Sequence, residues 1–287
     1  MPDSLLPRSI NGKAPLQIAI ECAEAGASVI RKRMPDTVGI NSKQKLGLNT
    51  KGGWNDRVTE VDNQAEAEII AILKSAYPDH QIIAEESGTQ GSISSKYQWY
   101  IDPIDGTRNF ASGLPHLCVS IGLWSKSVPI LGVLMDPIRN ELFTAETGRG
   151  AQINGVAVSA STEIDFSEAL LGFDMGYKPK EGNLLLDAIN ELWPNFQSVR
   201  MMGSAALGIT YSGCHRLDLY AHHYVQPWDI AAAIVFVQEA GGLVTDLKGQ
   251  TIHPNSQHIV AGAPLIHEIF LEKTKDFEWR KSVSSIP

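Results

Sequence analysis

The sequence predicts an α+β protein whose helices and sheets stack in layers, and three observations carry that prediction. Two amphipathic helical segments precede a meander of short alternating strands that contains the hairpin signal Asn154-Gly155. Beyond about residue 160 strands and helices take turns, the pattern of an α/β unit with a mostly parallel sheet. The 287 residues, 43% of them hydrophobic, suffice for one large domain or two ordinary ones. The chain therefore divides into residues 1–160 and 161–287.

In the first part, Ile18, Ala19, Cys22, Ala23, Val29 and Ile30 recur at helical spacing, and Arg31, Lys32 and Arg33 stand where a helix dipole favours cations. Residues 35–55 are polar, glycine-bearing and without period, which reads as a mobile loop. Its Lys43, Lys45 and Lys51 fit a solvated surface better than contact with an anionic substrate. Asp62 then stands at the mouth of a second helix over 63–76, where it suits an N-cap. Gln81-Ile82-Ile83-Ala84 is a short strand that stops on Glu85-Glu86-Ser87. Adjacent strand residues point to opposite faces, so at most one of these glutamates need face a given site. Residues 97–101 form a second buried strand, which also ends on acid, at Asp102-Pro103-Ile104-Asp105-Gly106-Thr107. Leu117, Val119, Ile121 and Leu123 alternate, and 130–135, 142–145 and 151–153 continue the antiparallel run.

In the second part, 169–173, 198–201, 217–221, 243–245 and 259–262 read as strands, and 184–192, 205–211, 229–240 and 265–273 as helices. Asp229 suits the N-cap of an apolar helix that Gly241 closes. Internal repeats and low-complexity segments are absent.

Composition excludes several classes of function. With 32 acidic against 24 basic residues, the chain offers no broad surface for nucleic acid or anionic membrane. It has neither the roughly 20 consecutive apolar residues of a membrane span nor a signal-like run at its start, so a cytoplasmic location is expected. Cys22, Cys118 and Cys214 show no metal-ligand spacing and read as small core residues.

Carboxylates at strand ends are costly to bury unless a cation meets them. Mg²⁺ takes hard oxygen ligands, and Glu85, Asp102, Asp105 and Asp229 are the candidates, with the Ile104 carbonyl between two of them. Gly106 and Thr107, if they open a helix, add N–H groups aimed at a phosphate. Pro103 occupies the position of the nucleophile in a haloacid-dehalogenase motif, which excludes that mechanism here. A Gly-x-Ser-x-Gly elbow, His-Glu-x-x-His, a Walker A loop and a dinucleotide fingerprint are all missing. His215, His222 and His223 lack the partners of a zinc site and read as surface or pocket histidines.

Glu85-Glu86-Ser87, then Asp102-Pro103-Ile104-Asp105-Gly106-Thr107-Arg108-Asn109-Phe110, then Trp228-Asp229-Ile230-Ala231-Ala232 with Glu239-Ala240-Gly241-Gly242 resemble the signature elements of the inositol monophosphatase family, in order and spacing, over about residues 15–262. The resemblance implies a layered αβαβα fold, usually a homodimer, that hydrolyses small phosphate monoesters with two or three Mg²⁺ ions. It selects Glu85 over Glu86, and with Asp102, the Ile104 carbonyl, Asp105 and Asp229 this completes the implied metal ligands. Thr107, paired with Asp62, corresponds to the pair that orients and activates the attacking water. Gly203-Ser204-Ala205-Ala206 matches a substrate-lining element. One departure concerns specificity: where the animal inositol enzymes place a glutamate that binds inositol hydroxyls, seven residues before Asp229, this chain has His222. The expected substrate is inositol 1-phosphate, with fructose 1,6-bisphosphate, histidinol phosphate and 3′-phosphoadenosine 5′-phosphate as alternatives. A non-catalytic protein that binds a phosphorylated metabolite is the alternative of another class.

Overall fold

A computed structural model describes residues 6–38, 42–51, 57–162, 164–176 and 178–281 of the chain. The chain begins with Pro15–Arg33 (α1), Ser42–Lys45 (α2), the strand pair Asn49–Thr50 (β1) and Arg57–Val58 (β2), and Glu60–Ala76 (α3). There follow Gln81–Ala84 (β3), Gly88–Gln90 (β4), Tyr97–Asp105 (β5), the short helix Thr107–Ser112 (α4), Cys118–Ser125 (β6), Val128–Asp136 (β7), Glu141–Glu146 (β8), Ala151–Ile153 (β9) and Val156–Val158 (β10). These eight strands make one sheet in the order β10-β9-β8-β7-β6-β5-β3-β4, in which only the β3 and β5 pairing is parallel. Asn154 and Gly155, both at positive φ, turn the β9–β10 hairpin as their sequence predicts.

The second part contributes Leu170–Asp174 (β11), Pro179–Leu192 (α5), Ser198–Arg200 (β12), Ala205–Ser212 (α6), Leu219–His223 (β13), Pro227–Glu239 (α7), Leu243–Thr245 (β14), His258–Gly262 (β15), Pro264–Lys273 (α8) and Glu278–Lys281 (α9). Its five-stranded sheet runs β12-β11-β13-β15-β14. Two of its pairings are parallel and two antiparallel, so the sheet is mixed where strand–helix alternation predicts a mostly parallel one. The cause is β15, which enters antiparallel between β13 and β14.

Helices α1 and α3 bury their apolar stripes on one face of the large sheet. Helices α6 and α7 lie between the sheets, and α5, α8 and α9 belong to the outer layer beyond the small one, whose core includes Phe173, Phe270 and Trp279. The architecture is an α+β sandwich of five layers, αβαβα. In α7 every residue from Asp229 to Val237 is buried, as a helix covered on all sides must be. Its approach to the sheet is set by Gly122 and Gly132: a Cβ at Gly132 would stand 2.1 Å from the Ala232 carbonyl oxygen. Trp124 Nε1 donates to the Ala231 carbonyl at 3.0 Å and Ser120 Oγ to the Trp228 carbonyl at 3.2 Å, fixing the register of the helix on the strands. The three cysteines are free.

Three expectations about local structure need correction. The N-cap of α3 is Thr59, and Asp62 is its third helical residue, whose Oδ2 accepts from the Thr59 amide at 2.8 Å. Likewise α7 is capped by Gln226, and Asp229 reaches back to accept from the Gln226 amide at 2.8 Å. In both cases the acid satisfies an orphan N–H from inside the first turn, the reciprocal half of a capping box. The described residues of 35–55 include regular structure where the sequence predicts a mobile loop, namely a 3₁₀ turn at Met34–Thr37, α2 and β1; residues 39–41 and 52–55, with Gly52 and Gly53, lie outside the described residues. Finally β4, β10 and α9, of three or four residues each, are too short to show a period.

Candidate active site

The site is built on an irregularity in β5. Residues three apart on a regular strand point to opposite faces, so Asp102 and Asp105 would diverge. Against β6, however, Asp102 pairs with Ser120 and Asp105 with Cys118, three residues on one strand opposing two on the other. The extra residue is a bulge, which re-aims side chains. Pro103 is tolerated at a bulge because its missing N–H breaks no ladder bond there. Asp102 Oδ1 accepts from the Ile104 amide at 2.9 Å and holds the bend. Both aspartates thereby face Asp229, delivered by the first turn of α7, and oxygens of the three carboxylates lie within 4.8 Å of one another.

Glu85 comes to the same cavity from the end of β3. Its side chain is 14% exposed, and Lys51 Nζ lies 2.7 Å from its Oε1 and 2.5 Å from Glu86 Oε1. Glu85 lines the cavity and Glu86 does not. Lys51 therefore departs from the solvated-lysine expectation, whereas Lys43 and Lys45 are exposed. Glu66, on α3, accepts from the amides of Glu86 and Ser87 at 2.8 Å each.

Thr107 opens α4, and Gly106 before it adopts φ 103°, a left-handed conformation that favours glycine. Thr107 Oγ1 donates to Asp62 Oδ1 at 2.8 Å and also lies 3.1 Å from the Ile104 carbonyl. Asp62 is held on its other oxygen by the Thr59 hydroxyl at 2.5 Å.

The second part closes the cavity, about 330 Å³, with Gly203, Ala205, His222, Asp174, Met175 and Met201. Ser204 is buried away from the wall, and its hydroxyl donates a short hydrogen bond to Asp105, joined by the amides of Ala205 at 3.1 Å and Ala206 at 2.9 Å. The start of α6 thus acts on Asp105. Asp174, which sequence reasoning missed, accepts from the Gly203 amide at 2.8 Å and from the Tyr220 hydroxyl at 2.7 Å. Asn109 bridges to the carbonyls of His116 and Met202. His222 lines the cavity with its ring parallel to that of Tyr220. His223, on the opposite face of β13, is buried against Trp279 rather than at a surface or pocket.

Negative charge converges here, with Lys51 paired to Glu85 and with Arg57 and Arg108 also on the cavity wall. Burial raises the Asp102 carboxyl far above its ordinary range, and the charges of Glu85, Asp105 and Asp229 push it further. Asp229 rises for the same reasons, burial first and Asp105 next. Burial lifts Glu85 against the opposing pull of Lys51, and lifts Glu86 to about 8. Asp105 and Asp62 are raised to about 6, burial outweighing the hydrogen bonds that favour their charged forms. Burial holds His222 down at about 4, a neutral imidazole at pH 7. Three buried acids at one point, with the half-buried Glu85 beside them and all pushed toward protonation, fit a hard divalent cation that would restore their charge.

The sequence profile of the inositol monophosphatase family matches residues 14–277. The chain belongs to that family. The Nus factor SuhB of Pasteurella multocida is 41% identical over 261 residues, 90% of this chain and 94% of that protein. Among solved structures, the extragenic suppressor protein suhB from Bartonella henselae is 31% identical with a TM-score of 0.82, covering 91% of this chain and 98% of the other. The inositol monophosphatase from Anabaena is 32% identical with a TM-score of 0.79, over 91% and 95%. An inositol monophosphatase fold, with the mixed sheets and layered helices described above, is thus shared with proteins named inositol monophosphatase and with proteins named Nus factor or extragenic suppressor.

The structure brings together Glu85, Asp102, Ile104, Asp105, Gly106, Thr107, Gly203, Ala205, His222 and Asp229 around one cavity. Asp62 stands behind Thr107 and Ser204 behind Asp105. Lys51, Glu66 and Asp174 are the additions. The one sequence signal for Glu66 is its place four residues after Asp62, on the same helix face, with no basic residue three or four positions away.

Proposed function

We propose that this chain is a Mg²⁺-dependent phosphomonoesterase that hydrolyses a small phosphate ester with water, inositol 1-phosphate being the first substrate to test. The observation that carries the reading is the cluster of Asp102, Asp105 and Asp229, buried, with oxygens within 4.8 Å and an elevated pKa at each. Glu85, Asp102, the Ile104 carbonyl, Asp105 and Asp229 would hold the metal. When bound, Mg²⁺ supplies the positive charge that draws in the phosphate and stabilises the departing alkoxide.

The chain's own residues handle the proton. Water attacking phosphorus gives its proton to Thr107 Oγ1 as Thr107 passes its own to Asp62 Oδ1, along the 2.8 Å hydrogen bond. A carboxyl raised to about 6 is well matched to that task near neutral pH. Thr59 holds Asp62 in place through its amide and hydroxyl. Gly106, Gly203, Ala205 and His222 would contact the ester. In this reading residues 1–160 bring most metal ligands and 161–287 bring Asp229 and much of the substrate wall. The enzyme would act as a cytoplasmic homodimer; among the described residues no helix is long and apolar enough to cross a membrane.

The relatives' name, Nus factor, favours comparison with a non-catalytic role. Phosphate release from a panel of inositol 1-phosphate, fructose 1,6-bisphosphate, histidinol phosphate and 3′-phosphoadenosine 5′-phosphate, with and without Mg²⁺, decides the matter. Release that needs Mg²⁺ and disappears in a folded Asp105→Asn variant is the expected result. No release from any of them, with phosphate esters still bound, would leave the non-catalytic reading standing.

A further inference from the structure

Residues Asp62 and Glu66 lie four apart on α3, and both are buried, Glu66 to within 2% of full burial. Like charges at that spacing destabilise a helix, and burial of a carboxylate is costly without hydrogen bonds. The proton relay accounts for Asp62 alone. Glu66 does not line the cavity, yet both of its oxygens are engaged: Oε2 accepts from the Glu86 amide and Oε1 from the Ser87 amide, each at 2.8 Å. The preceding amide, of Glu85, donates to the Ile101 carbonyl of β5 at 3.1 Å. Three consecutive N–H groups are therefore fixed, one by the strand beside Asp102 and two by Glu66.

That arrangement divides the two glutamates. At the end of β3 the chain must leave the sheet, and the rotation it makes there decides where each side chain goes. With the amides of Glu86 and Ser87 tied to Glu66, Glu85 faces the cavity that Asp102 faces and Glu86 stays outside it. Carboxylate acceptors bind amides more strongly than neutral ones, so the turn is clamped and the carboxylate of Glu85 is aimed before any ligand arrives.

We propose that Glu66 is a positioning residue for the metal site, setting the affinity of the Glu85 position for Mg²⁺ by clamping the 85–87 turn. The inference rests on the reading of Glu85 as a metal ligand. Groups behind a metal ligand typically contribute 10–100-fold in affinity. Replacement by glutamine keeps the size of Glu66 but turns one acceptor into a donor facing an amide. The test follows the thermal midpoint of unfolding while MgCl₂ is titrated into wild type, Glu66→Gln and Glu66→Asp. The expected result is a Mg²⁺ midpoint at least about tenfold higher in Glu66→Gln, with Glu66→Asp between it and wild type. A merely structural role lowers the metal-free melting temperature and leaves that midpoint in place, which would overturn the proposal. Should the variants fail to fold, amide exchange in the wild-type protein still decides, since slow exchange at Glu86 and Ser87 is required and loop-like rates there would refute the clamp. A wild type whose melting is indifferent to Mg²⁺ would overturn the metal reading itself, and this inference with it.

Discussion

Gly132→Ala adds one methyl group far from the acids in sequence, yet it should damage the candidate active site. The new Cβ would stand 2.1 Å from the Ala232 carbonyl oxygen, 2.8 Å from its carbon and 3.0 Å from its Cα, all in the backbone of α7. Backbone cannot rotate away as a flexible side chain can, so either β7 or α7 must move. Ordinary contact begins near 3.4 Å, which requires a displacement of about 1.3 Å. Overpacking of this kind costs about 1–3 kcal/mol, or very roughly 2–12 °C in melting temperature for a chain of this size. The functional effect should be larger, because α7 carries Asp229 three residues before Ala232. Misplacement of a reacting group by about 1 Å can cost on the order of 10²-fold in rate. The assay is a melt beside Mg²⁺-dependent phosphate release at saturating substrate. A Gly132→Ala variant with wild-type melting and turnover would refute the claim that glycine contact sets the position of Asp229.

Thr107→Ala removes the hydroxyl between the attacking water and Asp62, and should lower the single-turnover rate by about 10²-fold or more while leaving the Mg²⁺ titration midpoint unchanged; an unaltered single-turnover rate would refute the relay. Metal and pH are linked with a definite sign. The Asp105 carboxyl is raised to about 6 in the folded chain, so its contribution to metal-free stability is full below its unfolded pKa near 4 and is lost as pH rises through 6. Stabilisation by Mg²⁺ should therefore grow between pH 4 and pH 7.5, and a melting shift that shrinks over that range would contradict the assignment. His222→Glu should raise the ratio of kcat/KM for inositol 1-phosphate over fructose 1,6-bisphosphate, as measured by phosphate release, and an unchanged ratio would remove His222 as a determinant of specificity.

How much of this was legible in the sequence follows from the range of each interaction. The acids that end strands, the Asn154-Gly155 turn and the uniformly apolar α7 are local patterns, and each was readable. Ser204 was read as pocket lining, but its hydroxyl lies on Asp105, because which face of a helix start meets the cavity depends on an element 99 residues away in the chain. Lys51 looked like one more loop lysine; its pairing with Glu85 spans 34 residues. Glu66 and Asp174 bind backbone amides of other segments, and a backbone amide leaves no mark in a sequence pattern. Short strands such as β4 and β10 exist because the sheet edge recruits them, not because three residues prefer that form.

For the acids themselves, a structural and a functional reading are not alternatives. Asp62 gives one oxygen to the start of α3 and the other to Thr107. Asp229 gives one oxygen to the start of α7, and Asp102 gives one to the amide inside its own bulge. Asp105 is bound by the start of α6. Each cap fixes a rotamer, so the carboxylates are held together although their mutual repulsion and burial disfavour it, and the helices are in turn oriented by the acids they need. The site lies where three helix starts meet a strand bulge, so that Asp102, Asp105 and Asp229 are each bound by the fold and still bring oxygens within 4.8 Å of one another, with Asp62 behind Thr107. An asparagine at any of these positions keeps the size and one acceptor while losing the charge, which is why Asp105→Asn separates hydrolysis from folding better than alanine would.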